Sequence, residues 1–336
     1  MHLKRLCAGR GGPDGLVEPK DAGMTEPVLI ADIGGTNARF ALLEGETRGP
    51  LHRVKLDGFT GIAAAIASFL SAQGAARPPR AAVLAVAGPV ADNRVRLTNR
   101  GWMVDGAEIA RTLGIGRVQV VNDFEALAWA LPHLAGPDLL PLGGGTGRKG
   151  APMAVLGAGT GLGVAAFLPP DRALVTEGGH ASLAAHDARE AAVIERLRQR
   201  YEHVSAERAL CGMGIENLYT ALAEIAGASV PARSAPEISA AALRNECPFC
   251  REALAMFCAM LGGVAGDLAL LYGARGGVFI AGGIAPRFPE FLAASAFRER
   301  FEAKGRFREW LEPVPTWLVT RLDAAMLGLA VLARRL

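Results

Sequence analysis

The chain has 336 residues, 51% hydrophobic and 21% charged, which suits about two domains with large cores and excludes a disordered chain. Lys and Arg number 36 against 33 Asp and Glu, a formal charge of +3, too even for a surface built to bind nucleic acid or an anionic membrane. Five irregularly spaced cysteines form no disulfide framework and point to a reduced, cytoplasmic location.

Residues 1–23 are polar and rich in Gly and Pro, with no apolar run of signal-peptide length. They read as a disordered, dispensable leader, with Met24 as a natural start. The run Val28-Leu29-Ile30-Ala31-Asp32-Ile33 is apolar and β-branched, and Gly34-Gly35 joins it to a second strand over 36–43. That pattern predicts a β-hairpin. A helix over 62–70 carries Ile62, Ile66 and Phe69 on one face. Strands are expected over 81–87 and 118–121, then a helix over 124–131 that Pro132 ends.

The Gly- and Pro-rich segment 136–152 reads as a loop beside a domain boundary. Strands over 153–156 and 164–168 flank the glycine turn 157–163, repeating the design of the N-terminus. Two such units suggest two similar α/β halves. Asp187 and Glu190 form a capping box for a helix carrying Val193, Leu197 and Tyr201. Further helices are expected over 215–226, 253–272 and 324–335. The second is long enough to span a bilayer, but Gly262-Gly263 and Asp267 interrupt it, and a core helix is expected. A strand over 278–281 ends in Gly282-Gly283.

No Gly-Lys pair exists, so the P-loop pattern fails. Gly145, Gly147 and Gly150 match GxGxxG but precede a strand, whereas a dinucleotide fingerprint follows one. The turns at 32–36, 157–163 and 282–283 read singly as tight hairpin turns. Together they favour a nucleotide clamp, since glycine lets backbone amides approach phosphate oxygens. Asp32, at a strand end, suits Mg²⁺ held through water. Asn122-Asp123 reads in isolation as a helix N-cap. Glu177 and His180 make a weak metal ligand set. Cys247 and Cys250 lack a second pair and read as helix-start or core thiols before zinc ligands.

The ordered segments ADIGGTNARFAL, TNRGW, VVNDFEALAWA, GAGTGLG, EGGH, SAER and GGVFIAGGIAPRF resemble the bacterial glucokinases of the hexokinase-like, non-ROK type. The resemblance runs from Val28 to the C-terminus. It implies an α/β, two-domain ribonuclease H-like fold of the actin-like ATPase and hexokinase kind, with an active-site cleft between the domains. The small domain would be 24–133 plus 322–336, and the large domain 134–321. Ala31, Asp32, Ile33, Gly34, Gly35 and Thr36 resemble the first phosphate motif. Gly157, Gly159 and Thr160 fall in the second, and Gly282 and Gly283 in the adenosine motif. Asn99, Asn122, Thr160, Gly161, Glu177, His180 and Glu207 would bind the sugar, and Asp123 would be the catalytic base. The implied activity is phosphorylation of D-glucose at its 6-hydroxyl by ATP and Mg²⁺, in a cytoplasmic homodimer. The segment DAAMLG at 323–328 departs from the family's Asn-Pro-Gly-Leu-Leu-Gly-like pattern.

Another hexose kinase, a sugar-sensing regulator and an actin-like ATPase stand as alternatives. A regulator needs a DNA-binding module, for which the leader is too short. An actin-like ATPase leaves Glu177, His180 and Glu207 without a role. One assay of ADP release across sugars separates all four.

Overall fold

The computed structural model describes residues 26–336 apart from Ala76, Thr98 and Asn99; the expected leader, the Met24 start and the sugar candidate Asn99 lie outside the described residues. The first sheet comprises β1 (Val28–Ile33), β2 (Asn37–Glu44), β3 (Thr47–Arg48), β4 (His52–Lys55), β5 (Ala81–Val86) and β8 (Arg117–Asn122). Between its strands lie α1 (Ile62–Ala72), the small ribbon β6 (Arg94–Arg96) and β7 (Met103–Asp105), and α2 (Gly106–Leu113). α3 (Asp123–Ala130) follows β8 directly. The strand order is β3-β2-β1-β5-β8, with β4 also on β2.

The second sheet is built from β9 (Leu139–Gly143), β10 (Met153–Ala158), β11 (Leu162–Leu168), β12 (Arg172–Thr176), β13 (Gly277–Ala281) and β14 (Thr316–Val319), in the order β12-β11-β10-β13-β14-β9. Inserted before β13 are α4 (Ala188–Arg198), α5 (Gly212–Ile225), α6 (Ala235–Leu243) and α7 (Pro248–Tyr272). α8 (Pro289–Ala293), α9 (Phe297–Glu302) and α10 (Arg308–Leu311) precede β14, and α11 (Ala324–Ala333) closes the chain.

The two sheets repeat one plan. β1 pairs antiparallel with β2 and parallel with β5; β10 pairs antiparallel with β11 and parallel with β13. α3 and α11 lie between the sheets, sharing one apolar cluster with Ile30 and Val83 of the first sheet and Val155 and Phe279 of the second. The outer face of the first sheet packs on α1 and α2, and that of the second on α4 to α10. α7 runs through this last layer with 14 of its 25 residues buried, which explains a sequence apolar enough to span a bilayer.

Several expectations change. The segment 136–152 is not all loop, because β9 adds an antiparallel edge to β14. Pro141 is tolerated there because an edge strand has a side without partners. Tyr201 lies past the end of α4. The capping box is only half formed. Asp187 accepts the Glu190 amide at 2.8 Å, but the Glu190 carboxylate takes the His186 amide and pairs with Arg300 at 2.6 Å. Asp323, at the departure from the family pattern, does not cap α11 by its side chain; it binds Arg48 and Arg321.

Candidate active site

Strand alternation aims Asp32. Leu29, Ala31 and Ile33 enter the outer cluster, while Val28 and Ile30 enter the central one, so Asp32 leaves the end of β1 on the central side. Arg39, opposite it in β2, donates from Nη1 at 3.3 Å. Burial raises the Asp32 pKa, and the Arg39 charge opposes the rise. Ala31 and Ile33, expected beside nucleotide, are buried in β1 with ladders on both sides. Their role is to fix the strand that carries Asp32.

Asn122 and Asp123 divide the work that the sequence left joint. Asn122 is the N-cap of α3, its Oδ1 accepting the Phe124 and Glu125 amides at 2.8 and 3.3 Å. Its Nδ2 donates to Gly88 O at 2.9 Å, so one amide hydrogen stays free. Asp123 follows it, and its Oδ1 also accepts the Phe124 amide, at 3.0 Å. Its pKa is pushed up to about 6, chiefly by burial; the Phe124 amide opposes the rise, and the charges of Asp32 and Glu177 add to it. Phe124 wedges the helix against the second sheet. Side chains at Gly157 or Gly163 would collide with its ring. Gly157, expected to face phosphate, is thus a buried β10 residue that admits Phe124.

A cleft of about 320 Å³ opens between the sheets, lined by Asp32, Asp123, Gly282, Gly283, Thr320 and Arg321. It brings two of the three glycine turns' neighbourhoods together with both carboxylates. A second hollow of about 290 Å³ joins Asp32 to Gly34, Gly35, Thr36, Arg39 and Arg53. Arg100 secures that first turn: Nε donates to Gly35 O at 2.5 Å and Nη2 to Asp57 at 2.5 Å. The sequence reading passed over Arg100 although it lies within TNRGW.

The remaining residues gather on the second turn. Gly159 donates to Gly161 O at 2.8 Å, and Gly212, first in α5, donates to Gly159 O at 3.0 Å. The α5 N-terminus, with its partial positive charge, therefore abuts the exposed Thr160. Glu207 Oε2 accepts the Leu162 amide at 2.9 Å and lies over Gly161. His180 Nδ1 stands 4.0 Å from Glu207 Oε1. Glu177 starts the turn Gly178–His180, where Gly179 packs on Leu162. Glu177 and His180 are exposed, Glu207 half-buried.

An apolar-walled pocket of about 420 Å³ lies behind the second turn, between Thr160, Ala240 and Leu243 of α6, Ile284 and Phe288. Sequence reasoning missed α6 and this wall. Its signal was present: Ser234 and Glu237 form a capping box around Pro236.

The glucokinase family model matches residues 29–336. The glucokinase of Paramagnetospirillum magneticum is 46% identical over 313 residues, covering 91% of this chain and 97% of its own. That of Aromatoleum aromaticum is 44% identical over 317 residues, covering 93% and 96%. Among solved structures, a glucokinase from an Antarctic psychrotroph superposes with a TM-score of 0.84 at 38% identity, covering 93% of this chain and 99% of that one. A ROK family glucokinase from Streptomyces griseus, in complex with glucose and AMPPNP, shares the fold with a TM-score of 0.63 at 20% identity, covering 92% and 99%.

Proposed function

The chain belongs to the glucokinase family, and on that premise we propose that it transfers the γ-phosphoryl group of ATP to the 6-hydroxyl of D-glucose. The observation that carries the residue assignment is the placement of Asp123. It lines the cleft with Asp32 and Gly282-Gly283, and it feels the charge of Glu177 from the sugar-side cluster.

In this reading Glu177, His180 and Glu207 hold sugar hydroxyls, with Gly161 and the free hydrogen of Asn122 beside them. Carboxylates, imidazole and amide suit hydroxyls that both donate and accept. Asp123 accepts the 6-hydroxyl proton as that oxygen attacks phosphorus; a pKa near 6 leaves it mostly ionised at pH 7 while keeping it a competent base. Gly35, Thr36 and Thr160 offer amides to the phosphates, helped by the α5 N-terminus, while the Gly34 and Gly159 amides close their own turns on Asn37 O and Gly161 O. The apolar pocket against α6 takes the purine base.

Asp32 fits Mg²⁺. It is a carboxylate that lines both the cleft and the hollow of the first glycine turn, and Mg²⁺ is held by one or two carboxylates together with waters and phosphate oxygens. Held there by Asp32, Mg²⁺ would supply neutralisation of phosphate charge.

We read the two sheets as the two domains of a ribonuclease H-like fold, divided at 133/134 and 321/322. Support comes from the repeated strand plan and from the two chain crossings, which touch: Thr320 N donates to Asp138 O at 2.9 Å, and Arg321 bridges Asp138 and Asp323 at 3.5 and 2.8 Å. Closure about these crossings would exclude water, a competing phosphoryl acceptor. The same reading includes a cytoplasmic homodimer, supported by the family resemblance and the thiol content. A coupled assay of ADP release across hexoses tests the activity: glucose should turn over fastest, and a faster hexose would reassign the substrate.

A further inference from the structure

Cys247 and Cys250 bracket Pro248-Phe249 at the start of α7. Cys247 is the N-cap, its Sγ accepting the Cys250 amide at 3.4 Å. Cys250 therefore stands one helical turn from Cys247, tied to its sulfur through the backbone amide. The pair is unequal in access, Cys247 being half-buried and Cys250 buried. Arg233, at the foot of α6, acts on both sulfurs. Its Nε is buried and has no hydrogen-bond partner among the described residues. The nearby carboxylates are engaged elsewhere: Glu246 pairs with Arg244 at 2.6 Å, and Glu237 accepts the Ser234 amide at 2.7 Å.

We propose that Cys247 and Cys250 are a thiol modification site that exchanges with low-molecular-weight disulfides of the glutathione class and closes to an intrachain disulfide. This assignment stands on these residues alone and does not depend on the kinase reading. Cys247 is the attacking sulfur. Burial pushes its pKa up, but the Cys250 amide, the Cys250 thiol, the Phe249 amide and the Arg233 charge together bring it below the usual thiol range. Cys250 is the resolving sulfur, held as a thiol because burial and the neighbouring Cys247 push it up to about 12.

The exchange balances in two steps. The Cys247 thiolate attacks one sulfur of the small disulfide, whose S–S bond breaks; one small thiolate leaves and takes a proton from water. Cys250 then gives its proton to solvent and attacks Cys247 Sγ, and the second small thiol leaves. Two electrons pass from the protein to the small disulfide, and both protons end on the released thiols. An N-cap and the residue three positions on share one helical turn, within the Cα separation of about 4.4–6.8 Å that a disulfide spans.

The experiment incubates the reduced full chain with glutathione disulfide and maps thiols by alkylation and peptide mass. The expected product is a peptide carrying both Cys247 and Cys250 that has lost two hydrogens and resists alkylation until reduced. Cys247→Ser, which keeps a capping oxygen, should leave Cys250 unmodified. Cys250→Ser should stop at a glutathione adduct on Cys247. Two free thiols in the wild-type peptide at a glutathione disulfide excess that modifies other cysteines would overturn the proposal. Adduct formation on Cys250 in the Cys247→Ser chain would overturn the assigned order.

Discussion

Asp123→Asn tests the centre of the site twice over, because the substitution removes basicity and keeps an oxygen for the Phe124 amide. Asn122 caps α3 and an Asn side-chain oxygen can still accept the Phe124 amide that Asp123 takes at 3.0 Å, so the variant leaves the cap intact. It removes a carboxylate that burial and the charges of Asp32 and Glu177 push up to about 6. Loss of a general base lowers turnover ~10²–10⁴-fold. Stability should move the other way. A rise from 3.8 to about 6 means the folded protein prefers the neutral form by about 3 kcal/mol, discounted to about 1–2 because the half-buried side chain is partly screened. The sign follows from the raised folded value: the carboxyl's favourable contribution is complete below the unfolded value and is lost as pH rises through about 6. Asn carries no charge to bury, so its melting temperature should exceed wild type by a few degrees at pH 8, the gain vanishing near pH 4. Stopped assays of kcat and thermal melts at both pH values decide. Near-normal turnover removes Asp123 from the chemistry, and a lower melting temperature at pH 8 refutes the buried-charge argument.

Wild-type kcat/KM should fall on the acid side with an apparent pKa near 6, and Glu177→Gln should move that limb to lower pH by removing a repelling charge, read from a pH–rate profile. Glu177→Gln, His180→Ala and Glu207→Gln should each weaken glucose binding by ~1–3 kcal/mol while sparing ATP, measured by calorimetric titration. Leu243→Asp places a charge on the apolar wall and should raise the KM for ATP about tenfold or more with little change for glucose, in steady-state kinetics. Arg100→Met removes the Gly35 and Asp57 anchors of the first turn, a loss of ~1.5–3 kcal/mol that should appear as weaker nucleotide binding at an unchanged glucose affinity.

The sequence was most legible where chemistry is local. The VLIADI run, its glycine turn and the returning strand form one hairpin, because β-branched residues and Gly-Gly define pairing over short range. The AVLGAGTGLGVAAF segment repeats it for the same reason. β9 was hidden because its partner, β14, lies far along the chain; nothing within 139–143 announces a pairing with 316–319. Asn122 and Asp123 could not be told apart by type, since Asn and Asp cap equally well. Only the turn of the chain out of β8 lets Asn122 reach the amides of both Phe124 and Glu125, while Asp123 reaches that of Phe124 alone.

Glycine carried the most ambiguous signal. Gly159 and Gly161 form the turn, as expected, but Gly157 and Gly163 lie in paired strands beneath Phe124. A ring from the first half thus occupies space vacated by two glycines of the second, directly after the candidate base. The motif that reads as a phosphate cradle therefore also fixes how α3 presents Asp123. A side chain at Gly163 would act on catalysis by displacing Phe124, without touching a phosphate. This coupling arises from two segments some forty residues apart, and sequence periodicity, which reports neighbours within a turn or a strand, carries no trace of it.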